Sequence, residues 1–140
     1  MKFDIVIGNP PYQETVDSAA GVPIWHHFVD LSLNVTVDGG DVILVHPWGW
    51  RKNKKKFQQV SERLRSLQMN KCKLCNYETG KDLFNVNTSC DWYSVTNTPR
   101  TDDFKTRVIG IDGNETLLDL NDILILPDTL PSEYMDILSL

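Results

Sequence analysis

Long apolar runs are missing from this sequence. The longest, 5–7, 42–45 and 123–126, are strand-sized, so no membrane span is expected. The opening Met1-Lys2-Phe3-Asp4 lacks the layout of a signal peptide and leads straight into a strand. Cysteine is scarce: three residues cannot all pair, and reduced thiols in a cytoplasmic protein are the simplest expectation. There is no internal repeat, no low-complexity tract and no G-x-G anywhere in the chain. What remains is an ordinary globular composition, 41% hydrophobic and 24% charged, in 140 residues, which fits one domain rather than two.

Positive charge is also in deficit, with 14 Lys+Arg against 19 Asp+Glu and a net charge of -5. That average conceals a local reversal. Arg51, Lys52, Lys54, Lys55 and Lys56 are five cations within six residues, and removing them leaves nine cations against nineteen acids. A concentrated basic patch on an acidic body is directional. It is either a solvated helix start or a phosphate contact. Cations at a helix N-terminus oppose its dipole, which favours the second. From Asp102 onward, nine acids face two cations, so the tail is a poor phosphate binder.

The apolar pattern predicts an α/β domain. Phe3 to Gly8 reads as a strand buried on both faces, stopped by two prolines. Gln13 to Gly21 reads as a loop. Ile24, Phe28, Leu31 and Val35 recur at helical spacing, with Pro23 in the first turn. Asp38-Gly39-Gly40 ends that helix, and Asp41 to His46 reads as a second buried strand, stopped by Pro47. Phe57, Val60, Leu64 and Leu67 mark an amphipathic helix. Strands follow at about Lys71 to Tyr77 and Asp91 to Thr96, with a loop around Lys81 to Ser89 between them. The order β, α, β, α, β, β implies parallel strands with helices packed across them. Thr106 to Ile111 and Thr116 to Leu120 suggest a hairpin about Asp112-Gly113-Asn114. Asp122 to Leu126 suggests a further strand and Pro131 to Leu140 a terminal helix.

The chemistry concentrates in Asn9-Pro10-Pro11-Tyr12, at the carboxyl end of the first strand, where ligands bind in open α/β sheets. The bland alternative is a Pro-Pro turn closing the strand. Asn9 offers a side-chain carbonyl and Pro10 a rigid main-chain carbonyl. Two fixed acceptors suit an exocyclic amine, whose lone pair is delocalised into its ring until hydrogen bonds favour a more tetrahedral nitrogen. Tyr12 adds a ring face for stacking a flipped base, worth ~1–3 kcal/mol. Orientation and electrostatics suffice for this, with no shifted acid or base.

These residues carry a resemblance. FDIVIGNPPYQ resembles the motif-four segment of amino-group methyltransferases dependent on S-adenosylmethionine, and is most similar to the N6-adenine DNA methyltransferases of type IIG-like restriction–modification systems. Pro23 to Val29 resembles the helix after this motif, and Asp41 to Pro47 the following strand. Asp82-Leu83-Phe84 with Asp91 to Val95 resembles a later motif that places an aromatic near the target base. The likeness covers about residues 1–97. It implies that Asn9 and Pro10 polarise an adenine amine and that Tyr12, with Phe84, stacks the flipped base. Trp48 and Trp50, flanking Gly49, either line the base site or pack in the core. The basic loop would hold the DNA backbone.

The same resemblance implies what this chain lacks. The family's three strands before motif four, the first carrying the glycine-rich cofactor loop, have no counterpart here. The chain therefore looks like the second half of a Rossmann-like methyltransferase sheet, 1–100, with an acidic extension, 101–140. S-adenosylmethionine is the implied donor, with most of its pocket absent from the isolated chain. The edge of Phe3 to Gly8 would then lie unpaired, a liability that proteins cover. Its expected cover is a cofactor-binding partner chain, a second copy, or the C-terminal segment. The alternatives are a non-catalytic DNA- or protein-binding subunit or remnant, and an RNA or protein-glutamine methyltransferase. Cys72 and Cys75 form a C-x-x-C whose members would point to opposite faces of a strand, so buried inert thiols are expected and no metal.

Overall fold

The computed structural model describes residues 1–15, 21–52, 54–85, 88–123 and 125–127, and of Gly80 and Phe84 the backbone only. Six strands form one sheet: β1 (Phe3–Gly8), β4 (Thr36–Pro47), β6 (Cys90–Pro99), β5 (Leu67–Lys73), β7 (Thr106–Ile109) and β8 (Glu115–Leu118), in that spatial order. β1 pairs parallel with β4 and β5 with β7, while β6 runs antiparallel between β4 and β5. Four strands thus point one way, with β6 and β8 reversed. The parallel sheet expected from the alternation is a mixed one. A small second sheet pairs β2 (Gln13–Glu14) with β3 (Val22–Pro23).

Helices α1 (Trp25–Val35) and α2 (Gln58–Ser66) connect β1 to β4 and β4 to β5. They pack on one face of the sheet, where Val29 and Leu33 of α1 and Val60 and Leu64 of α2 meet Val42, Leu44, Tyr93 and Val95. An Arg63–Asp30 ion pair at 2.9 Å ties the two helices together. The buried stripe of α1 is Trp25, Val29 and Leu33, one residue round from the sequence stripe, and Leu31 is exposed. Pro23 belongs to β3 and not to the helix. Neither predicted double-sided strand is buried on both faces, and in β1 only Val6 is even half-buried. In β4, Val42, Leu44 and His46 are buried, whereas Ile43 and Val45 are half-buried. β4 also starts earlier than expected. Asp38-Gly39-Gly40 lies inside it, where the register against β1 jumps from Phe3↔Thr36 to Ile5↔Asp41. Gly39 takes φ +79°, a left-handed conformation suited to glycine, and a Cβ on Gly40 would lie 2.7 Å from the Asp4 carbonyl oxygen.

β1 is one of the sheet's two edge strands. Phe3, Ile5 and Ile7 are 47%, 62% and 74% exposed, and no described residue pairs with the strand's outer side. The expected double-sided burial fails because its neighbours are on one side only. Cover by the C-terminal segment falls on residues outside those described, as does the expected helix at 131–140. The β7–β8 hairpin forms as expected, with Gly113 at φ +82°, and continues the same sheet beyond β5. Around Asp122 to Leu126, the described residues form bends and irregular backbone that bury Ile123 and Leu126 instead of a strand. α3 (Tyr77–Phe84) occupies much of what the sequence suggested was strand and loop. The Asn76 side chain caps it by accepting from the Thr79 N–H, and Asn85 ends it in a left-handed turn. No helix among the described residues is long and apolar enough to cross a membrane.

Candidate functional site

The common direction of β1, β4 and β5 brings their carboxyl ends to one rim of the sheet, beside the start of β6. Pro47 pairs with Cys90, and the Trp48 N–H donates to the Ser89 carbonyl at 3.4 Å. After Asn9-Pro10-Pro11, the β2–β3 hairpin turns the chain back, and the Ile24 N–H donates to the Tyr12 carbonyl at 3.0 Å. Between this hairpin and the loop after β4 lies a cavity of about 620 Å³. It is lined by Tyr12, Gln13, Pro23, Trp25, Pro47, Trp48, Gly49, Lys54, Phe57 and Thr88. That volume is ample for a nucleobase with its sugar.

Its walls are aromatic. Tyr12 is half-buried and packs against the core, its hydroxyl enclosed beside the Cys90 thiol. Burial, then that thiol, holds the phenol well above its usual range. Trp48 is half-buried and carries the Lys52 ammonium 3.9 Å from its ring centroid, a cation–π contact. Trp25 and Phe57 close the floor with ring centroids 4.7 Å apart. Gly49 lets these rings approach the loop: a Cβ there would stand 2.8 Å from the Phe57 ring and 3.2 Å from Trp25. Asn9 and Pro11 are exposed at the tip of β1 and Pro10 is half-buried. Asn9 and Pro10 precede the cavity wall without lining it.

Trp50 and Arg51, for which a ligand contact was one of two readings, both lie in the interior. Trp50 is fully buried, and its indole N–H donates to Asp91 Oδ2 at 3.0 Å. Arg51 is 1% exposed, its Nε 2.7 Å from the same carboxylate. The first cation of the basic run is therefore an internal counterion, unable to reach a phosphate. Asp91 also accepts the Cys75 N–H at 3.1 Å. Burial outweighs these partners and raises its pKa to about 6. Lys54, Lys55 and Lys56 are exposed, with Lys54 on the cavity rim. Phe84 ends α3, which follows β5 at this same rim, but its side chain lies outside the described residues.

Sequence reasoning missed Trp25 and Phe57 as cavity walls, reading one only within a family likeness and the other as core. The usable signal was position, since each opens or precedes a helix that follows this rim. Cys72, Cys75 and Cys90 are buried free thiols, pushed up by burial, to about 11 for Cys75. Among the described residues, no cluster of three His, Cys, Asp or Glu could hold a metal. A second cavity, about 450 Å³, lies at the other end of the sheet beside Ser66, Arg100 and Leu120.

S-adenosylmethionine does not fit the aromatic cavity. Among the described residues, the lining has no carboxylate for a ribose diol and no glycine-rich run of amides, and its one charge, Lys54, repels a sulfonium.

The model of the Eco57I restriction-modification methylase family matches residues 1–84. No curated protein matches significantly. A type I restriction-modification methyltransferase subunit from Streptococcus thermophilus superposes with a TM-score of 0.58 at 14% identity, over 99% of this chain and 31% of that one. The M protein of the type I restriction enzyme EcoKI gives 0.56 at 12% identity, over 77% of this chain and 25% of its own. A Listeria monocytogenes chain assigned to the class I S-adenosylmethionine-dependent methyltransferases gives 0.52 at 13% identity, over 99% and 41%. At these identities the superpositions show the fold. The chain spans roughly a quarter to two fifths of the length of the solved structures it matches.

Proposed function

Because this chain belongs to the Eco57I restriction-modification methylase family, we propose that it forms the base-receiving half of an N6-adenine DNA methyltransferase site. The observation that carries this is the 620 Å³ aromatic cavity placed directly after Asn9-Pro10 at the tip of a sheet strand. An adenine turned out of its duplex would enter between Tyr12 and Trp48. The Asn9 side-chain carbonyl and the Pro10 main-chain carbonyl would accept the two amine hydrogens and draw the lone pair onto nitrogen. Lys54, Lys55 and Lys56 would hold the phosphates beside the rim. Lys52 is engaged on the Trp48 face and would stiffen that wall.

The methyl donor of the family reading, S-adenosylmethionine, has no site among the described residues. Its binding surface would come from a partner chain or further segment docked along β1, where Phe3, Ile5 and Ile7 are exposed. The same mismatch supports a second reading, a non-catalytic DNA-binding subunit of a restriction–modification assembly. Both readings require the base site.

Titration of a single strand carrying 2-aminopurine tests that site. Stacking in the cavity quenches the base, and Tyr12→Ala is expected to weaken binding by roughly 5- to 150-fold, the value of one stacked base. Unchanged affinity and quenching in Tyr12→Ala would refute the base site.

A further inference from the structure

His46 is fully buried and touches no part of the cavity surface, yet it contacts two cavity walls at once. Its ring stacks on Trp25 at 4.4 Å between centroids and 12° between planes. Its Nδ1 lies 2.9 Å from the Pro47 carbonyl, and its Nε2 lies 2.9 Å from the Tyr93 hydroxyl. A carbonyl can only accept, so Nδ1 carries the proton, and Nε2 then accepts from Tyr93. The tautomer is thereby fixed from both sides, and the ring is further held edge-on by Tyr93 at 5.2 Å.

We propose that His46 is a positioning residue for the base site, locking the Trp25 ring and the Pro47 carbonyl so that the turn bearing Trp48 keeps its place opposite Tyr12. This rests on the base-site reading. Pro47 is the last residue of β4, and the turn Trp48–Arg51 starts immediately after it. Rotation of the Pro47 carbonyl would carry Trp48 with it. A leucine at position 46 would fill comparable space but donate nothing to that carbonyl, and would offer Trp25 no flat face. Asparagine can present its amide N–H where Nδ1 stands. Sites whose supporting groups are left loose lose binding although every contacting residue is present.

The test compares two single strands at low salt, one with 2-aminopurine and one abasic at that position. Backbone contacts are common to both, so the affinity ratio isolates the base. Wild type is expected to favour the base-bearing strand. His46→Leu is expected to lose about tenfold of that ratio with its abasic affinity unchanged, and His46→Asn to recover most of it. Tyr93→Phe, which keeps the packing but removes the hydroxyl that fixes Nε2, keeps the proposal testable should His46→Leu fail to fold. It is expected to lose about threefold. A full ratio in Tyr93→Phe, or in folded His46→Leu, overturns the positioning role, as does a loss shared equally by the abasic strand. A wild type that does not distinguish the strands refutes the base site and this role with it.

Discussion

Asp91 gathers three donors, from Trp50, Arg51 and Cys75, in a place closed to water. Asp91→Asn would leave the Arg51 guanidinium buried without its counterion, a class of change that costs about 3–5 kcal/mol. Urea unfolding should show that loss. His46 and Asp91 give opposite pH slopes. Burial lowers His46 to about 4 from an ordinary 6.5, so the unfolded chain takes up a proton between those values and the native state does not. Its contribution is present above about pH 6.5 and is lost as the pH falls through about 4. Asp91 is raised from 3.8 to about 6, so its contribution is present below about pH 3.8 and is lost as the pH rises through about 6. The net profile across this window is therefore muted. The stability of wild type relative to His46→Asn should grow as the pH rises from about 4 to 6.5, measured by urea unfolding, and a constant difference would contradict the assignment. At this scale the sequence was a partial guide. The end of β1 before Asn9 to Tyr12 was legible because two prolines after a strand remove its ladder donors. The burial of Trp50 and Arg51 was not, because it depends on Asp91, forty residues away in sequence and adjacent only once β4 and β6 pair.

The two long helices, β1, β4 and β6 were legible from apolar period and the β7–β8 turn from its glycine, whereas β2 was read as loop, Pro23 of β3 as helix, and β5 lies at Leu67–Lys73 instead of Lys71 to Tyr77. α3 was hidden for a physical reason: it is only two turns long, too short for an apolar period to repeat, and Gly80 interrupts it. β1 illustrates the other limit. FDIVIG has the composition of a doubly buried strand, but burial is supplied by neighbours, and here only β4 is beside it. Replacing Ile5 and Ile7 by Lys should leave stability within about 0.5 kcal/mol per site, since both side chains already face solvent. The same pair of changes should reduce association through this edge, read by light scattering or by loss of a partner that restores cofactor binding. A large loss of stability in the isolated chain would mean that these residues are covered by part of the chain itself.

Across the whole molecule, the densest run of positive charge stands at one end of the sheet. Lys54, Lys55 and Lys56 are exposed beside the aromatic cavity, whereas at the opposite cavity Glu62 and Asp102 are offset by Arg65 and Arg100. The lysine cluster presents the aromatic end to a polyanion. Changing Lys54, Lys55 and Lys56 together to Ala should lower the slope of log affinity against log salt by about two for a single strand. Arg51→Ala should instead act on stability, leaving that slope unchanged.

The turn after β4 is fastened to the far stretch of the chain. Arg51 and Leu126 exchange hydrogen bonds, N–H of Leu126 to the Arg51 carbonyl at 3.2 Å and Arg51 Nη1 to the Leu126 carbonyl at 3.4 Å. Arg65 meanwhile grips the carbonyls of Leu120 and Ile123. A protease clipping after Leu118 would thus release no idle appendage. It would strip acceptors from two inward-facing guanidiniums, and the loosening would be felt at Trp48 in the wall of the aromatic cavity.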